Sequence, residues 1–300
     1  MMNPDVRMVA MTGASGLIGR HLRLELVDQP VTLLGRRRLD PGSNETWRAF
    51  DLSASVDLSF LPPGSSLCHM AYAMTEGEAN VDYTYRAIEA VNRSDSIDHV
   101  VMLSSASVYG AGVSGDIDEQ TPLRPDSDYA RTKARCDLAW LDLLRPNCRL
   151  TILRPTSVVA DEGPGLQALV DDALHHPVKS IAKRFLQHSN SVHFIAIDNV
   201  VAAIAFALDN QGPSRDLFIV ADDDASENES YAAMQDHVRA LLGRSPLHVP
   251  PLPRLLERPI GRALGKPLGM RRRFSSRSIR EAGYIPRITL ADMLRRSLGE

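Results

Sequence analysis

Short apolar runs alternate along this chain with longer stretches whose apolar residues recur at helical spacing. "RMVAM" (7–11) predicts a strand and "LIGRHLRLELVDQ" (17–29) an amphipathic helix. "VTLL" (31–34), "WRAF" (47–50) and "SLCHMAY" (66–72) predict further strands. A helix is expected over 79–93, a buried strand at "HVVMLSS" (99–105), a helix over 128–145 and a strand at "RLTILRP" (149–155). Strand and helix in strict alternation imply parallel strands joined by crossover helices, an α/β doubly wound parallel sheet. Past Pro155 the rhythm loosens. A helix is expected near 166–176, a strand at "HFIAI" (193–197), a helix over 198–209 and a last sheet strand at "DLFIVA" (216–221). Residues 222–300 read as mainly helical and broken by proline.

Composition adds bounds. The 300 residues are 44% hydrophobic and 24% charged, enough to bury a large core. A net charge of −3 gives no global pull toward nucleic acid. The longest apolar stretch, 194–208, is interrupted by Asp198 and Asn199, so no bilayer span is expected. "MMNPDVRMVAMTGASG" reads as a strand running into glycines, not as a signal peptide. Cys68, Cys136 and Cys148 lie far apart without a Cys-x-x-Cys pair. They read as reduced, buried thiols, which implies a cytoplasmic location and no metal site.

Two short stretches carry chemistry. "TGASGLIG" (12–19) sits between the first strand and the first helix. Gly13 permits a tight turn, Gly16 lets backbone approach a pyrophosphate, and Gly19 allows close helix-to-sheet packing. Ser15, Leu17 and Ile18 complete this candidate cofactor loop, whose helix N-terminus offers free N–H groups to phosphate. The expected division is therefore a dinucleotide-binding Rossmann domain over 1–155, joined by the strands near 193–197 and 216–221. A smaller, mainly helical substrate lobe would come from 156–192 and 222–300. Where an NAD-binding chain usually has an acid after the second strand, this one has Gly35 followed by Arg36, Arg37 and Arg38. That favours NADP over NAD, with Arg36 and Arg37 as contacts for the 2′-phosphate; the alternative is a solvated basic turn. The second stretch is "SDYARTK" (127–133), with Tyr129 and Lys133 four apart on one helix face. Only four Lys occur against thirty Arg, so a lysine here suggests a need for a compact point charge.

Together these pieces resemble the extended short-chain dehydrogenase/reductase family, also called the NAD-dependent epimerase/dehydratase family. The glycine loop resembles its fingerprint. "DL" (51–52) resembles the Asp-hydrophobe pair at the adenine, which implies contacts from Asp51 and Leu52. "HMAY" (69–72) resembles the segment beside the cofactor, with Ala71 as contact, and "NVDYT" (80–84) the stretch in which Tyr83 replaces a usual glycine. "SSASVYG" (104–110), "YARTK" and "LRP" (153–155) complete the match. The resemblance implies Ser105, Tyr129 and Lys133 as catalytic residues, with Tyr129 and Lys133 also touching the cofactor. Ser105, Ser107 and Tyr129 would touch substrate. A phenol with a pKa of about 10 exchanges protons poorly at neutral pH, and a cation one turn away would lower it. Ser105 would hold the reacting oxygen near Tyr129.

The "ADEGPG" loop (160–165) departs from the family pattern, whereas the C-terminal "FSSRSIREAGYIPRITLADMLRRSL" (274–298) resembles the family's C-terminal segment, especially that of nucleotide-sugar 4-ketoreductases and epimerases. Its Gly283-Tyr284-x-Pro286 turn, like Asp198 and Asn199, reads as packing. The implied function is NADP-dependent reduction of a keto group on a nucleotide-linked sugar. The alternatives are a nucleotide-sugar 4-epimerase with retained NAD and a non-catalytic NADP-sensing or interaction protein. A homodimer is expected through the helices at 79–93 and 128–145, where Ala87, Ala90, Ala134 and Ala139 are small. From Arg254 to Arg280 nine basic residues stand against one acid, Glu257. This stretch reads as a solvated helix face, as a diphosphate site using Arg271 and Arg272, or as a weak dock for an anionic membrane. Pro259 and Pro267 weaken a continuous helix.

Overall fold

The computed structural model describes residues 7–54, 56–161 and 164–298. Glu162 and Gly163 of the altered loop, and the first six residues, lie outside them. The first half runs β1 (Val9–Thr12), α1 (Leu17–Glu25), β2 (Val31–Gly35), β3 (Glu45–Ala49), β4 (Ser65–His69), α2 (Ala79–Arg93) and β5 (Ile97–Leu103). A short 3₁₀ turn (Ala106–Tyr109), β6 (Gly115–Ile117), α3 (Asp128–Leu143) and β7 (Arg149–Pro155) follow. Beyond lie β8 (Ser157–Val159), α4 (Pro164–His175), α5 (Pro177–Gln187), β9 (Phe194–Ala196), α6 (Ile197–Asp209) and β10 (Arg215–Val220). The chain ends with α7 (Tyr231–Leu241), α8 (Arg254–Leu264), β11 (Arg272–Phe274), α9 (Arg277–Glu281) and α10 (Leu290–Leu298).

Seven strands form one parallel sheet in the order β10-β7-β5-β4-β1-β2-β3. Side chains alternate across it, as the period of a strand requires. Val9, Met11 and Leu33 face a core shared with Leu22 of α1 and Ile204 of α6. Ala10, Leu34 and Leu67 face the opposite core, filled by Val81 and Val91 of α2 and by Trp140 of α3. Both faces are covered, so the inner strands read as unbroken buried runs.

Three expectations need correction. The strand near 193–197 does not join the main sheet. β10 occupies the edge beside β7, with Arg215 opposite Leu150, and Thr156 N donates to Val220 O as the chain leaves. β9 pairs instead with β8, Phe194 opposite Ser157, in a separate two-stranded sheet. The small residues Ala87, Ala90, Ala134 and Ala139 point inward, buried in the sheet-facing cores, and leave Tyr85, Leu138 and Leu143 on the outside. α8 continues through Pro259; the residue four back, whose carbonyl loses a donor, is Leu255, which stands in solvent. α5 was not anticipated. The 216–221 strand is as expected.

Asn199 ties the end of the chain to the sheet. Its Nδ2 donates to Asp222 Oδ2 and Ile288 O, and its Oδ1 accepts from Arg287 N and Ile288 N. Tyr284 is buried against Phe206 and donates its hydroxyl to Asn199 O, so the Gly283–Tyr284 turn packs. Among the described residues no helix is long and apolar enough to cross a membrane.

Candidate active site

Strand order reverses between β1 and β4. The crevice beyond the carboxyl ends of these strands is where such sheets bind ligands. The glycine loop fills its floor. Gly13 has φ +74°, and a Cβ there would lie 2.8 Å from the Met70 carbonyl carbon. A Cβ on Gly19 would overlap the Gly13 carbonyl. α1 starts at Leu17 without a side-chain cap or an acidic residue in its first turn, leaving its amides open to an anion. Thr12 clamps the other wall, its Oγ1 accepting from Met70 N (3.1 Å) and Ala71 N (3.2 Å). With two amides donating to it, its own proton goes to His69 Nδ1, 3.0 Å away. Burial holds His69 neutral, with its pKa pushed down to about 4.

A cavity of about 650 Å³ runs from this loop in both directions. Gly13, Ser15, Gly16, Arg36, Arg37, Asp51, Leu52 and Ala71 all line it, and Lys133 closes the far end. Leu17 and Ile18 pack against the sheet core instead, and Gly19 packs on the backbone of Gly13 and Ala14. Backbone and hydroxyl bonds from Ser53 hold Asp51 below the usual carboxylate range. At the same end Arg36 lies 3.4 Å from Glu76, whose carboxylate also accepts from the Tyr83 hydroxyl. Tyr83, in the usual glycine's place, thus anchors an acid beside the basic turn. Asn80 pins the intervening loop by bonding both N and O of Ala73.

At the other end Lys133 lines the cavity, and Tyr129 stands one turn earlier on α3, behind that lining; Ser127 caps the helix by accepting from Ala130 N. A third residue that the sequence reading did not single out, Tyr72, joins them. Its ring meets Tyr129 edge-on at 5.2 Å, and Lys133 Nζ sits 4.4 Å over its face. Lys133 Nζ also donates to Leu103 O at 3.1 Å. Burial lowers the Lys133 pKa, and the Asp137 carboxylate opposes that shift. Burial raises the Tyr129 pKa, and its hydrogen bond with Ser105 pulls the other way. The groups acting on the phenol are therefore burial, Ser105 and Asp137, whereas a direct lowering by Lys133 was expected. A buried ammonium needs acceptors, and the long side chain finds the strand-end carbonyl and an aromatic face.

Ser105 accepts from Ser107 N and starts the 3₁₀ turn, while Ser107 Oγ is buried with no partner among the described residues. Arg272 Nη1 donates to Gly110 O and its Nε bonds His193 Nε2 (3.1 Å), so it braces the loop after this turn. Arg271 is exposed. Beneath the site Arg154 Nε meets Asp137 Oδ2 at 2.9 Å and Nη1 meets the Tyr109 hydroxyl at 2.8 Å, all buried.

The model for the NAD dependent epimerase/dehydratase family matches residues 9–221. The chain belongs to that family. As a family member it is an NAD(P)-dependent enzyme of the extended short-chain dehydrogenase/reductase type. No curated protein matches it. Solved structures share the fold of this epimerase/dehydratase-family chain at low identity. MoeE5 in complex with UDP-glucose and NAD is 22% identical with a TM-score of 0.71, covering 97% of each chain. UDP-glucuronic acid 4-epimerase from Bacillus cereus in complex with NAD is 18% identical with a TM-score of 0.68, covering 97% of this chain and 95% of that one. UDP-N-acetylglucosamine 4-epimerase from Methanobrevibacter ruminantium M1, in complex with UDP-N-acetylmuramic acid, is 17% identical with a TM-score of 0.70, covering 98% and 97%.

Proposed function

We propose that this protein is an NADP-dependent oxidoreductase that reduces a keto group on a nucleotide-linked sugar. The observation that carries the cofactor choice is the end of β2. Gly35 offers no carboxylate, and Arg36 and Arg37 line the cavity where a 2′-phosphate would lie. Nucleotide sugars in the similar structures are the ground for the substrate class. Residues 156–192 and 222–300 would form the substrate lobe over the Ser105 end.

When bound, the dinucleotide supplies the hydride. Tyr129 supplies the proton: burial keeps its hydroxyl protonated at neutral pH, as a donor to a reduced carbonyl oxygen must be. Ser105, whose hydroxyl opposes the rise in that phenol's pKa, orients the same oxygen. Tyr72 and Leu103 O hold Lys133 at the cavity end, within the wall that would face the nicotinamide ribose.

A second reading, a 4-epimerase retaining NAD, is favoured by Glu76. A carboxylate beside Arg36 could accept a ribose hydroxyl and would oppose a phosphate. One experiment separates the two. Nucleotide released on denaturation is quantified, then NADPH oxidation is followed on 4-keto nucleotide sugars. Little bound dinucleotide and stoichiometric NADPH use are expected, with turnover abolished in Tyr129→Phe while cofactor binding persists. Near-full occupancy by NAD, with sugar isomerisation and no net NADPH use, would establish the epimerase.

A further inference from the structure

The basic C-terminal stretch divides in two. From Arg271 onward its charges are mostly engaged: Arg272 braces Gly110, Arg273 and Arg280 face Asp224, and Arg277 pairs with Glu281. Arg254, Arg258, Arg262 and Lys266 make no ion pair among the described residues. The three arginines recur every fourth residue and form a stripe along one side of α8.

The apolar residues of α8 face the wrong way for a core helix. Only Gly261 is buried. At about 100° per residue, Leu255, Pro259, Ala263 and Leu256 centre on the side opposite Gly261, and the arginines flank them. Leu255 is 91% exposed. An amphipathic helix packed on a globular core does the reverse.

α5 repeats the arrangement. Val178, Ile181, Ala182 and Phe185, at i, i+3, i+4 and i+7, all face solvent, and Val178 is 78% exposed. Ser180 and Arg184 turn inward, where Arg184 pairs with Asp236. The two helices share a surface. Just before α8, Leu252 N bonds Phe185 O at 3.2 Å. Just after it, Asn190 bonds Pro267 O (3.3 Å) and Gly269 N (2.7 Å).

We propose that the α5–α8 face docks this protein on an anionic lipid surface, its apolar side chains entering the headgroup boundary and the α8 stripe meeting lipid phosphates. Charge complementarity selects this occupant. A second copy would bring arginine stripe to arginine stripe, with Glu257 the one acid in α8. An anionic bilayer satisfies both the apolar face and its cationic flank.

The test is co-sedimentation with phosphatidylcholine–phosphatidylglycerol vesicles, with pure phosphatidylcholine vesicles as control. Wild type should bind the anionic vesicles at least about tenfold better and release as salt rises. Leu255→Glu with Val178→Glu should abolish binding. Both side chains project into water, so thermal melting and dinucleotide binding should stay unchanged. Absence of anionic-vesicle binding, equal binding to both vesicles, or retention in the double variant would overturn the proposal. So would self-association of wild type that this variant abolishes, which would make the face a contact between copies. None of these outcomes depends on which reaction the enzyme catalyses.

Discussion

Replacing Arg154 by Met removes the cation from a fully enclosed polar cluster. Arg154 is 3% exposed, and Asp137 has no exposure at all. The arginine satisfies Asp137 Oδ2 and the Tyr109 hydroxyl together, and its guanidinium lies 5.1 Å from the Tyr109 ring. Met keeps most of the apolar stem, so little cavity opens. What remains is a buried carboxyl stripped of its partner, a loss of about 3–5 kcal/mol. For a chain of this size that corresponds to a fall in melting temperature of roughly 5–8 °C. Differential scanning calorimetry on purified protein would read it. The companion variant Asp137→Leu with Arg154→Met removes both charges and should recover most of the loss. A single variant melting within about 2 °C of wild type, or a double variant no better than the single one, would refute the reasoning.

Cofactor choice should respond to the Arg36–Glu76 pair: Arg36→Ala weakens NADP(H) binding by about tenfold in fluorescence titrations, whereas Glu76→Gln frees Arg36 and strengthens it about threefold. An unchanged ratio of NADP to NAD affinity in both would make the basic turn mere surface. Burial pushes His69 down to about 4 and His99 down to about 3, from 6.5 in the unfolded chain. The unfolded state therefore takes up protons first as pH falls. Stability is full above about pH 6.5 and declines toward pH 4 by about 1.4 kcal/mol per unit for each histidine. Urea midpoints at pH 7 and pH 5 should differ accordingly, and His99→Gln should halve the difference; a flat profile would contradict it. A homodimer is expected through the outer face of α2 and α3, and Leu138→Glu should give a monomer by light scattering; a wild type monomeric at micromolar concentration would count against it.

The glycine loop was legible because its geometry excludes side chains: a left-handed turn at Gly13 and a helix packed on a carbonyl at Gly19 each leave one possible residue. Helical spacing put Tyr129 and Lys133 on one face of α3, but only the family resemblance gave that pair a chemical role. Tyr72 was not, since an aromatic just past a strand end has no period. Its position depends on how Asn80 folds the 73–79 loop, a contact across the chain. β9 misled because a three-residue apolar strand reads the same against either neighbour. Periodicity also draws a stripe on a helix without saying which way it faces. The four alanines of α2 and α3 turned out to face inward, and the leucines of α8 outward.

The Asn199 junction sets an order of events during synthesis. Its side chain is wholly buried, yet its partner Ile288 lies 89 residues downstream. At about 5–20 residues per second, a ribosome needs roughly 4–18 s to make the intervening chain. Throughout that interval α6 lies over the sheet with its first turn unsealed, and the apolar face it shares with Tyr284 is open to water. The nucleotide-binding strands can pair early, but the last stretch of polypeptide is the latch. Ribosomes stalled before residue 284 should therefore display a chain with an assembled glycine loop that protease still cuts at α6.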